Sequence, residues 1–123
     1  MKKPKQIFCE VFGINFFVSI GVSASEYVKQ VEKRLNCEID EPEPVIVGQV
    51  NTFKSNDFGY AIWIWTQKWY LPTIMHEIFH AVSSAMRVKN VIHSESSEEA
   101  FAYLQGYLVR KIFFNKGVVK KLL

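Results

Sequence analysis

The stretch Tyr70-Leu-Pro-Thr-Ile-Met-His-Glu-Ile-Phe-His-Ala-Val-Ser-Ser-Ala-Met86 decides how the rest of this chain is interpreted. It predicts a helix over about residues 72–87, because Pro72 suits a first helical turn, Thr73 can cap it, and no glycine or further proline interrupts it. Its apolar residues fall on nearly every side, which is typical of a buried helix. A buried carboxylate normally has a partner or a nearby metal ion. The ionisable side chains of this stretch are His76, Glu77 and His80.

These three residues have the spacing His-Glu-x-x-His, which is the spacing of a helical zinc site. His76 and His80 stand one turn apart on one face, with about 5–6 Å between their Cβ atoms, so both imidazoles can reach one tetrahedral zinc ion. Glu77 lies about 100° further round the helix, which suits a base for zinc-bound water rather than a ligand. The alternative is a pair of satisfied core histidines. A glutamate in register within apolar surroundings favours the metal site.

The composition limits the kind of protein this chain can be. Its 123 residues fit one domain, and its 49% hydrophobic and 15% aromatic content excludes general disorder. The net charge of +3 is mild and no basic face joins a recognisable motif, so we expect no nucleic-acid binding. No apolar run approaches the roughly 20 residues of a membrane-spanning helix. We therefore expect neither nucleic acid nor membrane as a partner.

Two further features bear on the compartment. Cys9 and Cys37 lack Cys-x-x-Cys spacing, so we expect reduced thiols rather than a disulfide or a zinc pair. Residues 1–25 loosely resemble a signal peptide, with lysines ahead of an apolar run, but Glu10 and Asn15 interrupt that run. The expected location is therefore the cytoplasm.

The hydrophobic pattern predicts an α+β fold. A polar turn is expected over 51–59, and a first helix starts at Ser23 or Ser25 and ends near Asn36. Strand 60–66 is apolar on both faces, so it needs cover on each: from helices of this chain, or on one side from a partner or a second copy. The predicted sheet and its main helices are an N-terminal hairpin (6–12 and 14–20), strands about 45–50 and 60–66, a buried helix about 72–87 and a second helix about 96–114.

A catalytic zinc ion usually takes three protein ligands and a water molecule, so a third ligand must come from elsewhere in the chain. The metzincin class is excluded, because Ser83 and Met86 stand where it needs glycine and histidine. Acids at the start of the last helix can also serve only to complement the helix dipole. The candidates for the third ligand are Glu98, Glu99 and His93.

One family resemblance rests on these residues. His76-Glu-Ile-Phe-His80 followed by Glu98-Glu-Ala-Phe-Ala102 resembles the gluzincin metallopeptidases, specifically the small minigluzincin-like proteins often encoded by phages and mobile elements. The similarity covers about residues 60–112 within a single domain, 1–123. It implies that Glu99 is the third zinc ligand and that the edge of strand 60–66 aligns an extended peptide. The chain departs from the family at 101–103, where many gluzincins place an acid that orients a ligand histidine.

The predicted function is that of a zinc-dependent metallopeptidase. Zinc would lower the pKa of its bound water, and Glu77 would take the proton and pass it to the leaving amine. The alternative is a zinc-bearing protein-binding module, encoded by a phage and weak or inactive as an enzyme, because so small a chain has no second lobe to exclude water. A purely structural zinc site is a third possibility. The oligomeric state is open and includes a dimer.

Overall fold

The computed structural model describes residues 3–55, 59–92 and 94–114. It confirms the α+β class, with one four-stranded sheet and three α-helices in the described residues. The strands are β1 (Lys5–Cys9), β2 (Ile14–Ile20), β3 (Gly48–Ser55) and β4 (Gly59–Thr66). The helices are α1 (Ala24–Leu35), α2 (Leu71–Val88) and α3 (Glu98–Phe113), and a 3₁₀ turn (Glu95–Ser97) leads into α3. In this part of the chain, no helix has both the length and the apolar character that crossing a bilayer requires.

The order of strands in the sheet is β1-β2-β4-β3. β1 pairs antiparallel with β2, β3 pairs antiparallel with β4, and the central pair β2–β4 is parallel. A parallel pair requires a crossover connection, and α1 lies within it. β4 is consequently bonded on both sides. The prediction that strand 60–66 offers a free edge is wrong, because β3 occupies that position and carries the unpaired outer edge among the described residues.

β3 starts three residues later and ends five residues later than the predicted strand 45–50, and the polar turn over 51–59 is wrong in its first half. The strand continues to Ser55, whose cross-strand partner is Gly59. Its polar residues are tolerated because β3 lies at the edge of the sheet, where one side of the strand is open to solvent. Asn51 even gains a partner, since the Tyr27 hydroxyl donates to its Oδ1 at 2.6 Å. Pairing with the apolar β4 therefore overrides the local polarity.

Helices of this chain cover both faces of the sheet. On one face, α1 packs over the two β4 tryptophans through Tyr27, whose ring stacks on Trp65 at 5.2 Å and meets Trp63 edge-on at 6.3 Å. Phe17 of the neighbouring β2 stacks on Trp63 at 4.7 Å in the same cluster. On the other face, α2 and α3 pack over Ile62 and the rest of a larger apolar cluster. Both faces of strand 60–66 are therefore covered by helices of the same chain, which is the first of the two alternatives considered above.

The helix starts follow the predicted chemistry only in part. Ser23 caps α1, since its Oγ accepts from the backbone N–H of Glu26 at 3.1 Å. α2 begins one turn earlier than a cap at Thr73 would require: Tyr70 is its N-cap, without a side-chain hydrogen bond, and Pro72 lies in the first turn. Neither Cys9 nor Cys37 forms a disulfide.

Candidate metal centre

The candidate site lies on the outer face of α2. The inner face of this helix is buried against the sheet through Ile74, Ile78 and the small residues that follow them. The outer face is open, and there His76 and His80 are exposed and Phe79 keeps 53% of its surface accessible. Burial of α2 on all sides is therefore a wrong prediction, because no further layer of the described chain covers this helix. Within the described part of the chain, both imidazoles are therefore accessible from solvent.

The two histidines already have nearly the geometry of a zinc pair. Their Nε2 atoms lie 3.1 Å apart, and their rings are inclined at 77° with centroids 4.6 Å apart. A tetrahedral zinc ion with Zn–N distances of about 2.0–2.1 Å holds two nitrogens about 3.3–3.4 Å apart. Without a metal ion, the same approach suits a hydrogen bond in which one Nε2–H donates to the other nitrogen. Little movement therefore separates this pair from a metal-binding arrangement.

Glu77 completes the cluster from the buried side. Its side chain is only 6% exposed, and one of its carboxylate oxygens lies with a nitrogen of each histidine in a group whose members are all within 4.8 Å of one another. Burial raises the pKa of the Glu77 carboxyl, and the nearby His76 and His80 oppose that shift. A carboxylate whose pKa is raised accepts a proton more readily than an exposed carboxylate does, which suits a base beside two potential ligands.

Gly48, the first residue of β3, lies directly against Glu77. A Cβ atom at position 48 would lie 3.0 Å from Glu77 Oε2, 3.2 Å from Glu77 Cγ and 3.1 Å from the carbonyl oxygen of Trp65. The glycine leaves this space to the carboxylate, and a larger residue would require the carboxylate to move by a few tenths of an ångström. Sequence reasoning missed this residue, although a glycine within a predicted strand is a known signal of close approach by another group.

The Gly48→Ala variant tests this contact. For the peptidase activity that the sequence predicts, we expect a fall of about threefold to tenfold. A Cβ at position 48 would displace the Glu77 carboxylate by a few tenths of an ångström, and a displacement of about 1 Å at a catalytic group costs about a hundredfold. Zinc content should stay at the wild-type level, since the atoms nearest to a Cβ at position 48 belong to Glu77 and Trp65 rather than to a histidine. Gly106→Ala is the matched control, because a Cβ there meets nothing within 4 Å. Equal cleavage by the two variants would contradict the positioning role.

A shallow cleft of about 420 Å³ leads to the cluster. Gly48 and the first turns of α2 form one part of it, and the segment 45–47 forms the other. This segment is strongly exposed, with 81% of the Val45 surface accessible. The cleft therefore runs between the start of β3 and the two histidines.

The structure does not bring the predicted third ligand into the cluster. Glu99 is exposed in the first turn of α3, five residues before the fully buried Leu104, which places it about 140° round the helix from the core-facing side. In the described residues, the one group of three or more potential metal ligands is His76, Glu77 and His80. Glu98 is likewise outside it, and His93 lies outside the described residues. Glu99 as a ligand stays a prediction.

Comparison of the chain with models of known families, with curated proteins and with solved structures finds no match.

Proposed function

We propose that this protein is a zinc-dependent metallopeptidase. The observation that carries the proposal is the His76–His80 pair, whose Nε2 atoms lie 3.1 Å apart on an open helix face beside a buried Glu77. A structural zinc site needs neither an open approach nor a buried acid next to its ligands. A divalent ion held there would act as a Lewis acid toward water and the substrate carbonyl.

The roles of the residues follow from their positions. The two imidazoles would hold the ion, with Glu99 as the third ligand that the sequence resemblance implies. Glu77 would take a proton from the attacking water molecule and deliver it to the leaving amine. Gly48 would keep the Glu77 carboxylate in place by leaving it room.

The free edge of β3 suits the binding of an extended peptide. This edge is unpaired among the described residues, and its first residue, Gly48, lines the same cleft as His76. A peptide that adds to the sheet there gains backbone hydrogen bonds and passes the two histidines. The proposed peptide site is therefore the edge of β3 rather than that of strand 60–66. As part of the same proposal we place the protein in the cytoplasm, where its two free cysteines stay reduced.

A second candidate function is a zinc-bearing binding module of phage origin that recognises one host protein without cleaving it. The observation that favours it is a set of large apolar side chains exposed on segment 45–47, at the start of α2 and on α2 itself. Surfaces of this kind often mark protein-binding sites. These side chains are Val45, Val47, Tyr70, Leu71 and Phe79.

Metal content and cleavage together test the proposal. Protein purified without added metal should contain one zinc ion per chain by mass spectrometry of the metal, and zinc-loaded protein should cleave members of a complex peptide mixture. A chelator should stop cleavage and added zinc should restore it. Zinc-loaded protein that cleaves nothing but retains one specific partner would favour the binding module. Protein that binds no zinc would overturn both candidates.

A further inference from the structure

A second cavity opens on the other face of β3. It is a groove of about 860 Å³ between β3 and the segment 38–43. Five of the chain's 12 acidic residues line it, no basic residue does, and no lysine or arginine occurs between positions 35 and 53. The chain as a whole carries a net charge of +3, so the negative charge of this groove is opposite in sign to that of the whole protein. The acidic residues are Glu32, Glu38, Asp40, Glu41 and Glu43.

The groove and the metal centre are joined through β3. Successive side chains of a strand point to opposite faces of the sheet. Gly48 faces Glu77 and Val50 joins the apolar cluster under α2, whereas Gln49 and Asn51 line the groove on the α1 side. Ile46 lines both the groove and the cleft at the two histidines. β3 therefore has the candidate metal centre on one face and the acidic groove on the other, and its free edge runs between them.

A peptide strand that adds to this edge must obey the same alternation. Its residues at one set of positions would project toward the metal centre, and those at the positions between would project over the acidic groove. The four carboxylates of segment 38–43 are exposed, and none of them is in an ion pair within the described residues. They are thus available to cationic side chains of the bound strand.

We propose that the free edge of β3 binds an extended peptide with lysine or arginine at alternate positions, so that the basic side chains lie in the acidic groove while the peptide backbone passes the metal centre. The inference rests on the proposed peptidase function, of which it names the substrate class. It is carried by the unpaired edge, by its continuity with the cleft, and by the complementary charge. A second copy of the chain fits worse, since a two-fold pairing of β3 edges would bring two acidic grooves together.

Binding of designed peptides tests the inference separately from catalysis. Two fluorescent peptides of one sequence, with lysine or with glutamate at every second position, are titrated against zinc-loaded Glu77→Gln protein, and fluorescence anisotropy is measured. The lysine peptide should bind about tenfold tighter or more at low salt, and 0.5 M salt should shrink the difference, since salt screens exposed charges. With wild-type protein, the lysine peptide should also be the better substrate.

Two triple variants with the same net charge locate the effect. Asp40→Asn/Glu41→Gln/Glu43→Gln neutralises the groove, and Glu10→Gln/Glu26→Gln/Glu95→Gln neutralises acids elsewhere. We expect the first to reduce the preference for the lysine peptide at least fivefold and the second to leave it unchanged. If both triple variants lower the preference equally, the preference depends only on the net charge of the protein, and the inference is overturned.

The remaining outcomes separate the two proposals. Zinc-dependent cleavage without a preference for basic peptides overturns the inference and leaves the peptidase standing. Preferential binding of the lysine peptide without any cleavage keeps the docking surface and overturns the peptidase. No binding of either peptide, or a dimer in sedimentation velocity that the peptides do not dissociate, overturns the inference.

Discussion

Replacing Glu77 with glutamine should abolish peptide cleavage while the protein keeps its metal ion. Glutamine has nearly the shape of glutamate, so it fits the space that Gly48 leaves, and it cannot accept a proton from water at neutral pH. General-base catalysis contributes about 10²–10⁴-fold to a rate, and we expect a loss of that size in kcat. Folding should not suffer, because glutamine removes a carboxyl group whose pKa burial already raises.

The same variant separates a base from a ligand. One Glu77 oxygen lies with the two histidine nitrogens inside a 4.8 Å group, so direct coordination by Glu77 is the competing role. If Glu77 acts as the base, zinc affinity measured by competition with a chromogenic chelator stays within about threefold of wild type. If Glu77 is a ligand, that affinity falls together with cleavage. Glu95→Gln, an exposed change elsewhere, is the control, and full cleavage by Glu77→Gln would remove Glu77 from the mechanism.

What the sequence predicted well is local. The predicted strand 14–20 matches β2 to the residue, and the bounds of α2 agree within one residue at each end. The proximity of His76 and His80 could also be predicted locally, because two residues four positions apart on one helix lie on the same face. A motif within a single element can thus be assessed before the fold is known.

What the sequence did not predict depends on contacts between distant segments. The pairing of β2 with β4 decides which strand is the edge, and no local pattern carries that pairing. The contact of Gly48 with Glu77 joins residues in different elements for the same reason. Glu99 is a different case: the spacing of Leu104, Leu108 and Ile112 defines the buried face of α3, and its phase already indicates that Glu99 points away from it.

Removing His80 is expected to have the largest effect on the metal itself. A His80→Ala protein retains one imidazole where the site needs two, and we expect zinc affinity to fall at least about a hundredfold, with His76→Ala equivalent. The metal-free fold should be unaffected, because the side chain is exposed on α2 and alanine is a better helix former than histidine. The wild-type protein should gain about 2.7 kcal/mol of stability when free zinc is a hundred times its Kd, and the variant should gain at most about 0.4 kcal/mol at that concentration.

The thermal shift caused by zinc then decides the third ligand. Glu98 and Glu99 are adjacent, exposed and in the same first turn of α3, so Glu98→Ala controls for helix-start effects in Glu99→Ala. If Glu99 binds the ion, as the sequence resemblance implies, its variant loses tenfold or more in zinc affinity and Glu98→Ala loses none. That result requires the first turn of α3 to reorient on metal binding, since Glu99 lies opposite the buried face of its helix. Wild-type affinity in both variants would instead restrict the protein ligands to α2 and the residues beyond the described ranges.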